Sequence, residues 1–163
     1  MSLHLATVAW RCEGDFAARR YSRGHTLEFE GGLRVPGTAA PANVNPRYAL
    51  EGAVDPEQAF TAALAACHML WFLDLASRAG FSVASYRDEA HGELGEDAAG
   101  VRMMTRVVLK PHVSWAGEQR PTDEQAAALH HQAHEACFIA NSVRSQVVIE
   151  PRPADAEAVR STP

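Results

Sequence analysis

Apolar and polar positions alternate in some parts of the chain and recur at helical spacing in others, and the two patterns divide it into elements. Residues 5 to 12, LATVAWRC, alternate loosely and carry β-forming residues, which predicts a strand. HTLEFE, from His25, alternates again, and Gly31-Gly32 makes a turn into LRV, a hairpin. Residues 36 to 53, rich in Pro, Ala and Asn, lack any period and read as a loop. From Asp55 to Gly80 the chain is apolar almost all round a helix, so this helix belongs inside the protein or in a subunit interface. Its ends are marked: Asp55 suits the N-cap, Pro56 the first helical position, Glu57 the first turn, and Gly80 the C-terminal cap.

A second β region follows, with FSVASYRDEAHGEL as a strand, GEDAAG as a turn and VRMMTRVVLKPHVSW as its long partner. Pro111 predicts a bulge or an edge position there. Thr122 and Gln125 form a capping box for a second helix, DEQAAALHHQAHEACFIA, with Leu129, Ala133, Ala136 and Ala140 as its core stripe. VRSQVVIEP reads as a final strand. The order β-β-β-α-β-β-α-β, with hairpins, predicts an α+β fold in one domain over residues 1–150. The tail, 151–163, is small, polar and expected to fray.

Composition narrows the class. With 163 residues, the chain can bury roughly two-thirds of its unfolded surface, enough for a core. A net charge of -5 argues against non-specific binding to nucleic acid or anionic membrane. The N-terminus has no basic region before an apolar run, and no stretch is read as a membrane span. The expected address is the cytoplasm.

Three cysteines, Cys12, Cys67 and Cys137, are present, with no CxxC spacing. Buried, inert thiols are the plain reading, since free cysteine is among the most buried residue types. In a reducing compartment, a disulfide that does form is more often catalytic or sensory than structural. Cys67 lies about three turns into its helix, beyond reach of the N-terminal dipole, and apolar neighbours alone would raise its pKa. A reactive Cys67 therefore needs a cation from elsewhere, an arginine or the adjacent His68, because Lys110 is the single lysine. Glu57 precedes Cys67 by ten residues, about 15 Å along a straight helix. One helix cannot bring the two together, so a shared site requires a broken helix or a second chain. His130, His134 and Cys137, at i, i+4 and i+7, offer zinc ligands on one helix side, but no fourth ligand is evident. A partly solvated helix face, or a charge neighbour tuning Cys137, is the preferred reading. His25, His91 and His112 read as surface residues.

Val54 to Cys67, V-D-P-E-Q-A-F-T-A-A-L-A-A-C, resembles the motif of the OsmC/Ohr family, the osmotically inducible and organic hydroperoxide resistance proteins. The second cysteine in a downstream helix before a last strand, and the Tyr21-Ser22-Arg23 bend before the Gly-Gly hairpin, are similar too. The resemblance covers about residues 7 to 150. It implies an OsmC-like fold, with antiparallel sheets around long central helices in an intertwined homodimer whose two sites lie at the interface. It also implies a thiol peroxidase without metal or organic cofactor, acting on organic hydroperoxides and less on hydrogen peroxide. By position, Cys67 would be the peroxidatic cysteine and Cys137 the resolving one, joined in a Cys67–Cys137 disulfide that an external dithiol reduces. Glu57 would hold the catalytic arginine, matched by Arg23, with Arg20 as second candidate. Phe60, Leu64 and Trp71 share the Cys67 face and would line an apolar substrate pocket, although core packing is the plainer reading of each. Phe138 stands where much of the family has proline, and His68 matches less-characterised branches. The rival function is a non-catalytic carrier of a small apolar ligand on the same fold.

Overall fold

The computed structural model describes residues 1–152, so the expectation for the tail falls mostly outside the described residues. The chain forms two compact units, residues 1–59 and residues 60 onward.

In the first unit, β1 (Ala6–Ala9) and β5 (Arg34–Gly37) flank β4 (His25–Phe29) in an antiparallel sheet. The Gly31-Gly32 pair takes positive φ, 84° at each, and turns the chain as the sequence predicts. A short ladder of β2 (Gly14–Asp15) and β3 (Arg20–Tyr21) forms the bend between β1 and β4. The aperiodic stretch before the long helix is pinned despite its lack of pattern. Asn45 caps a single 3-10 turn at Pro46–Tyr48, and Leu50 N–H donates to Thr38 Oγ1 at 2.8 Å.

Helix α1 (Pro56–Arg78) begins where the cap signals place it. Gln58 N–H donates to Asp55 Oδ1 at 2.8 Å, and Asp55 N–H donates back to Gln58 Oε1 at 3.2 Å. It ends at Gly80, where φ is 82° and the Phe81 N–H returns to the Ala76 carbonyl. By length and composition alone α1 is apolar enough to cross a membrane, which corrects the expectation that no stretch is. Leu64, His68, Phe72 and Ala76 form its buried stripe at four-residue spacing.

In the second unit the long hairpin predicted over residues 81–115 is broken on both sides at one level. β6 (Ser82–Asp88) pairs with β9 (Pro111–Ala116), and β7 (His91–Glu96) pairs with β8 (Arg102–Leu109). Pro111 has no N–H to continue the ladder, and the Lys110 N–H before it turns to Asp88 Oδ1 at 2.7 Å. Helix α2 (Asp123–Ala136) carries the predicted capping box in both directions. It stops one residue before Cys137, whose φ and ψ are -67° and 110°, so Cys137 is the C-cap rather than an interior residue. β10 (Gln146–Ile149) then joins β8 in parallel, the one departure from the antiparallel expectation among the described strands.

Two apolar clusters hold this unit. Phe72 and Ala76 pack with Leu129, Ala133, Phe81 and Val113, while Leu64 packs with Val107 and Leu109. The fold is α+β, as the element order implies.

Candidate functional site

Cys67, half-buried in the middle of α1, and Cys137, fully buried at the end of α2, are both free thiols. They are neighbours: the Cys67 thiol acts on that of Cys137. The turn after α2 places Cys137, whose sulfur also accepts the Ala140 N–H at 3.4 Å. Burial, and then the neighbouring Cys67 thiol, push the Cys137 thiol up to about 11, so it keeps its proton at neutral pH. Cys12 is exposed on the other unit.

One residue on from Cys67, at His68, begins a feature that sequence reading missed. His68 Nε2 and His130 Nδ1 are 3.1 Å apart in the interior, with side chains only 1% and 6% exposed. Phe72 stacks on His130 with centroids 4.2 Å apart. Burial, then the neighbouring His130 and His134, lower the His68 pKa to about 3, and burial lowers that of His130 to about 4. The available signal was His68 on the buried side of an apolar helix, with a histidine on α2 to meet it. His130, His134 and Cys137 do not gather as zinc ligands: among the described residues no three metal-binding side chains stand together. His112, expected at the surface, is buried.

In the first unit, the Tyr21-Ser22-Arg23 bend is fixed from several sides. The Arg23 N–H donates to the Tyr48 carbonyl at 2.7 Å and its guanidinium to the Tyr21 carbonyl at 2.6 Å. The guanidinium carbon lies 3.6 Å from the Tyr21 ring centroid. The Trp10 indole N–H holds the Ser22 carbonyl at 3.0 Å, and His25 Nδ1 holds that of Arg23 at 2.9 Å. Arg23 lines a cavity of about 390 Å³ with Val8, Trp10, Phe16, Tyr21 and His25. Arg20, by contrast, is exposed and paired with Asp15 at 3.2 Å. Glu57 is half-buried, and its Oε1 accepts from Asn43 Nδ2 at 3.2 Å.

Of the residues read as pocket walls, Leu64 is fully enclosed in the core and Phe60 packs beside it, partly buried. Trp71 is half-buried and meets Phe138 edge-on, with centroids 5.4 Å apart.

An α+β chain whose two helices bring one cysteine each close together defines the fold class, and the relatives specify it. Residues 49–152 match the family model for OsmC-like proteins. An OsmC-like protein of unknown function from Vibrio cholerae is 45% identical, with a TM-score of 0.91 over 93% of this chain and all of the other. The chain belongs to the OsmC-like family. Among more distant folds, the organic hydroperoxide resistance protein OhrB of Bacillus subtilis is 22% identical, with a TM-score of 0.65 over 93% of this chain and all of that one. A Legionella pneumophila protein described as organic hydroperoxide resistance protein OsmC is also 22% identical, with a TM-score of 0.59 over 93% of this chain and 97% of that one. No curated protein sequence matches the chain.

Proposed function

We propose that the protein is a cysteine-based peroxidase that reduces organic hydroperoxides, and hydrogen peroxide less well. The observation that carries this reading is the neighbourhood of two free thiols, Cys67 within α1 and Cys137 at the C-cap of α2. The names of the Bacillus and Legionella relatives point to the same substrate class.

In this reading the Cys67 thiolate attacks the peroxide oxygen. The O–O bond breaks, the alkoxide leaves as alcohol after taking a proton, and Cys67 becomes a sulfenic acid. Cys137 displaces the hydroxyl, so water leaves and a Cys67–Cys137 disulfide forms. An external dithiol restores both thiols through a mixed disulfide. Arg23 supplies the cation that Cys67 needs, and its fork suits a peroxide oxygen. Its fixed bend and open cavity favour it over the ion-paired Arg20. Glu57 orients Arg23. Phe60 and Trp71 form the apolar wall for an alkyl chain, with Leu64 packed against Phe60 in the core. The working unit is a homodimer in the cytoplasm with its sites at the subunit interface. The exposed α1 positions Ala62, Ala63, Ala66 and Leu70, apolar on a single chain, support that assembly.

Stoichiometric cumene hydroperoxide should produce the Cys67–Cys137 disulfide by mass spectrometry, and Cys67→Ser should abolish peroxide consumption. A chain that stays fully reduced under that treatment would overturn the reading. The mostly apolar cavity beside Arg23 favours one alternative, a non-catalytic carrier of a small apolar ligand. Saturable binding that survives loss of both thiols, without turnover, would select it.

A further inference from the structure

The turn that carries Cys137 is held at two levels of α1, one on each side of Cys67. Ala140 and Val143 pack against the enclosed cluster of Leu64, Val107 and Leu109, and Leu64 lies one turn before Cys67. One turn after Cys67, Trp71 meets the ring of Phe138, the residue next to Cys137. The centroids are 5.4 Å apart and the planes lie at 86°, an edge-to-face pair. Leu64, Cys67 and Trp71 stand at i, i+3 and i+7, on one face of the helix. The thiols thus lie between an inner apolar anchor and an outer ring contact.

The turn itself is stiff. Asn141 N–H donates to the Cys137 carbonyl at 3.0 Å, Ser142 N–H to that of Ile139 at 3.0 Å, and Ser142 Oγ to that of Phe138 at 2.7 Å. The Asn141 side chain donates to the Glu135 carbonyl at 2.9 Å and ties the turn to the end of α2. Residues 137–142 therefore move as one piece, and a side chain that fixes one end of the piece fixes Cys137 with it. The Phe138 ring is 69% exposed and adds little to the core. Among the described residues, the aromatic ring it meets is that of Trp71.

We propose that Phe138 is the positioning residue of the resolving thiol: docked edge-on against Trp71, it clamps the Cys137 turn to α1 beside Cys67. In the clamped, reduced chain the turn has already given up the freedom that a disulfide would remove. Cys137 then presents a higher effective concentration to Cys67. Phe138 acts through the turn and takes no part in the bond exchange.

The inference rests on the thiol-pair reading but not on peroxide as the oxidant, so a glutathione redox buffer tests it. The Cys67 thiolate attacks one sulfur of glutathione disulfide, the S–S bond breaks and one glutathione thiolate leaves. Cys137 gives its proton to the buffer and attacks the Cys67 sulfur, and the second glutathione leaves. Two protein thiols are oxidised and one glutathione disulfide is reduced to two thiols. The oxidised fraction of the full chain, read by quenched alkylation and mass spectrometry, gives the effective concentration. Phe138→Ala should lower it about fivefold, within the factor of about two to twelve that an edge-to-face pair supplies beyond buried area. Phe138→Tyr should keep it, and the melting temperature of the Ala variant should stay near that of the wild type. In a Trp71→Leu background, Phe138→Ala should change it less than about twofold, because the partner ring is already gone. An unchanged effective concentration in Phe138→Ala, or a full loss on adding that substitution to Trp71→Leu, would overturn the clamp. A loss that varies with protein concentration would overturn it too, by assigning the ring to a contact between two copies. Closure in glutathione without any response to cumene hydroperoxide would sink the peroxidase reading alone, while the Phe138→Ala comparison still decides the clamp. Wild-type thiols that never close in glutathione would sink both.

Discussion

A methyl group added at Gly37 would collide with the His25 imidazole, which lies flat against that backbone. The same imidazole holds the Arg23 carbonyl at 2.9 Å. Gly37→Ala should therefore cost about 1–3 kcal/mol through overpacking and displace His25, loosening the Arg23 bend. Urea unfolding measures the first effect. A drop in peroxide turnover larger than that of a surface variant of equal stability measures the second, and an unchanged stability would contradict the packing. Single residues were unevenly legible. Cys67, Cys137, Glu57 and Arg23 were singled out through the resemblance of Val54–Cys67 and the Tyr21-Ser22-Arg23 bend to the OsmC/Ohr motif. His68 was not, because its partner lies 62 positions away and only the α1–α2 contact joins them.

Helix α1 and helix α2 meet through imidazoles that refuse protons, and this makes their packing sensitive to acid. The folded pKa values of His68 and His130, about 3 and about 4, lie below the ordinary 6.5. Below about pH 6.5 the unfolded chain therefore binds protons that the folded chain does not, and stability falls as pH falls toward 4. Each imidazole contributes a slope of about 1.4 kcal/mol per pH unit within that window. Urea titrations from pH 7.5 to 4.5 should show a steady loss, and a flat profile would rule the buried neutral pair out. The elements themselves were largely legible, because caps and periodicity are local. Asp55, Gly80 and the Thr122 capping box mark helix ends correctly. In the long hairpin Pro111 signalled an irregularity, but the division into two strand pairs was not legible, because it needs Lys110 to turn toward Asp88 on the partner side. The end of α2 was placed late for a similar reason: the pattern of small residues runs on through Cys137, and the turn back toward Ala140 stops the helix.

At the scale of the whole molecule, α1 leaves Ala62, Ala63, Ala66 and Leu70 exposed in a single chain, with Leu70 at 63%. Apolar faces of this kind on a central helix fit a second copy. The protein should elute and sediment near twice 17.7 kDa, and Leu70→Arg with Ala66→Glu should shift it toward the single-chain mass. A wild-type chain that sediments as a monomer would contradict this. The amino-acid sequence by itself determined the α+β class, the helix starts, the glycine turn of the first hairpin and the identities of the reactive candidates, since each depends on neighbours a few positions away. Tertiary structure decided the parallel docking of β10 on β8, the nearness of the two thiols, the charge state of Cys137 and the pairing of His68 with His130. These depend on burial and on partners far along the chain, and desolvation has no value until the fold has removed the water.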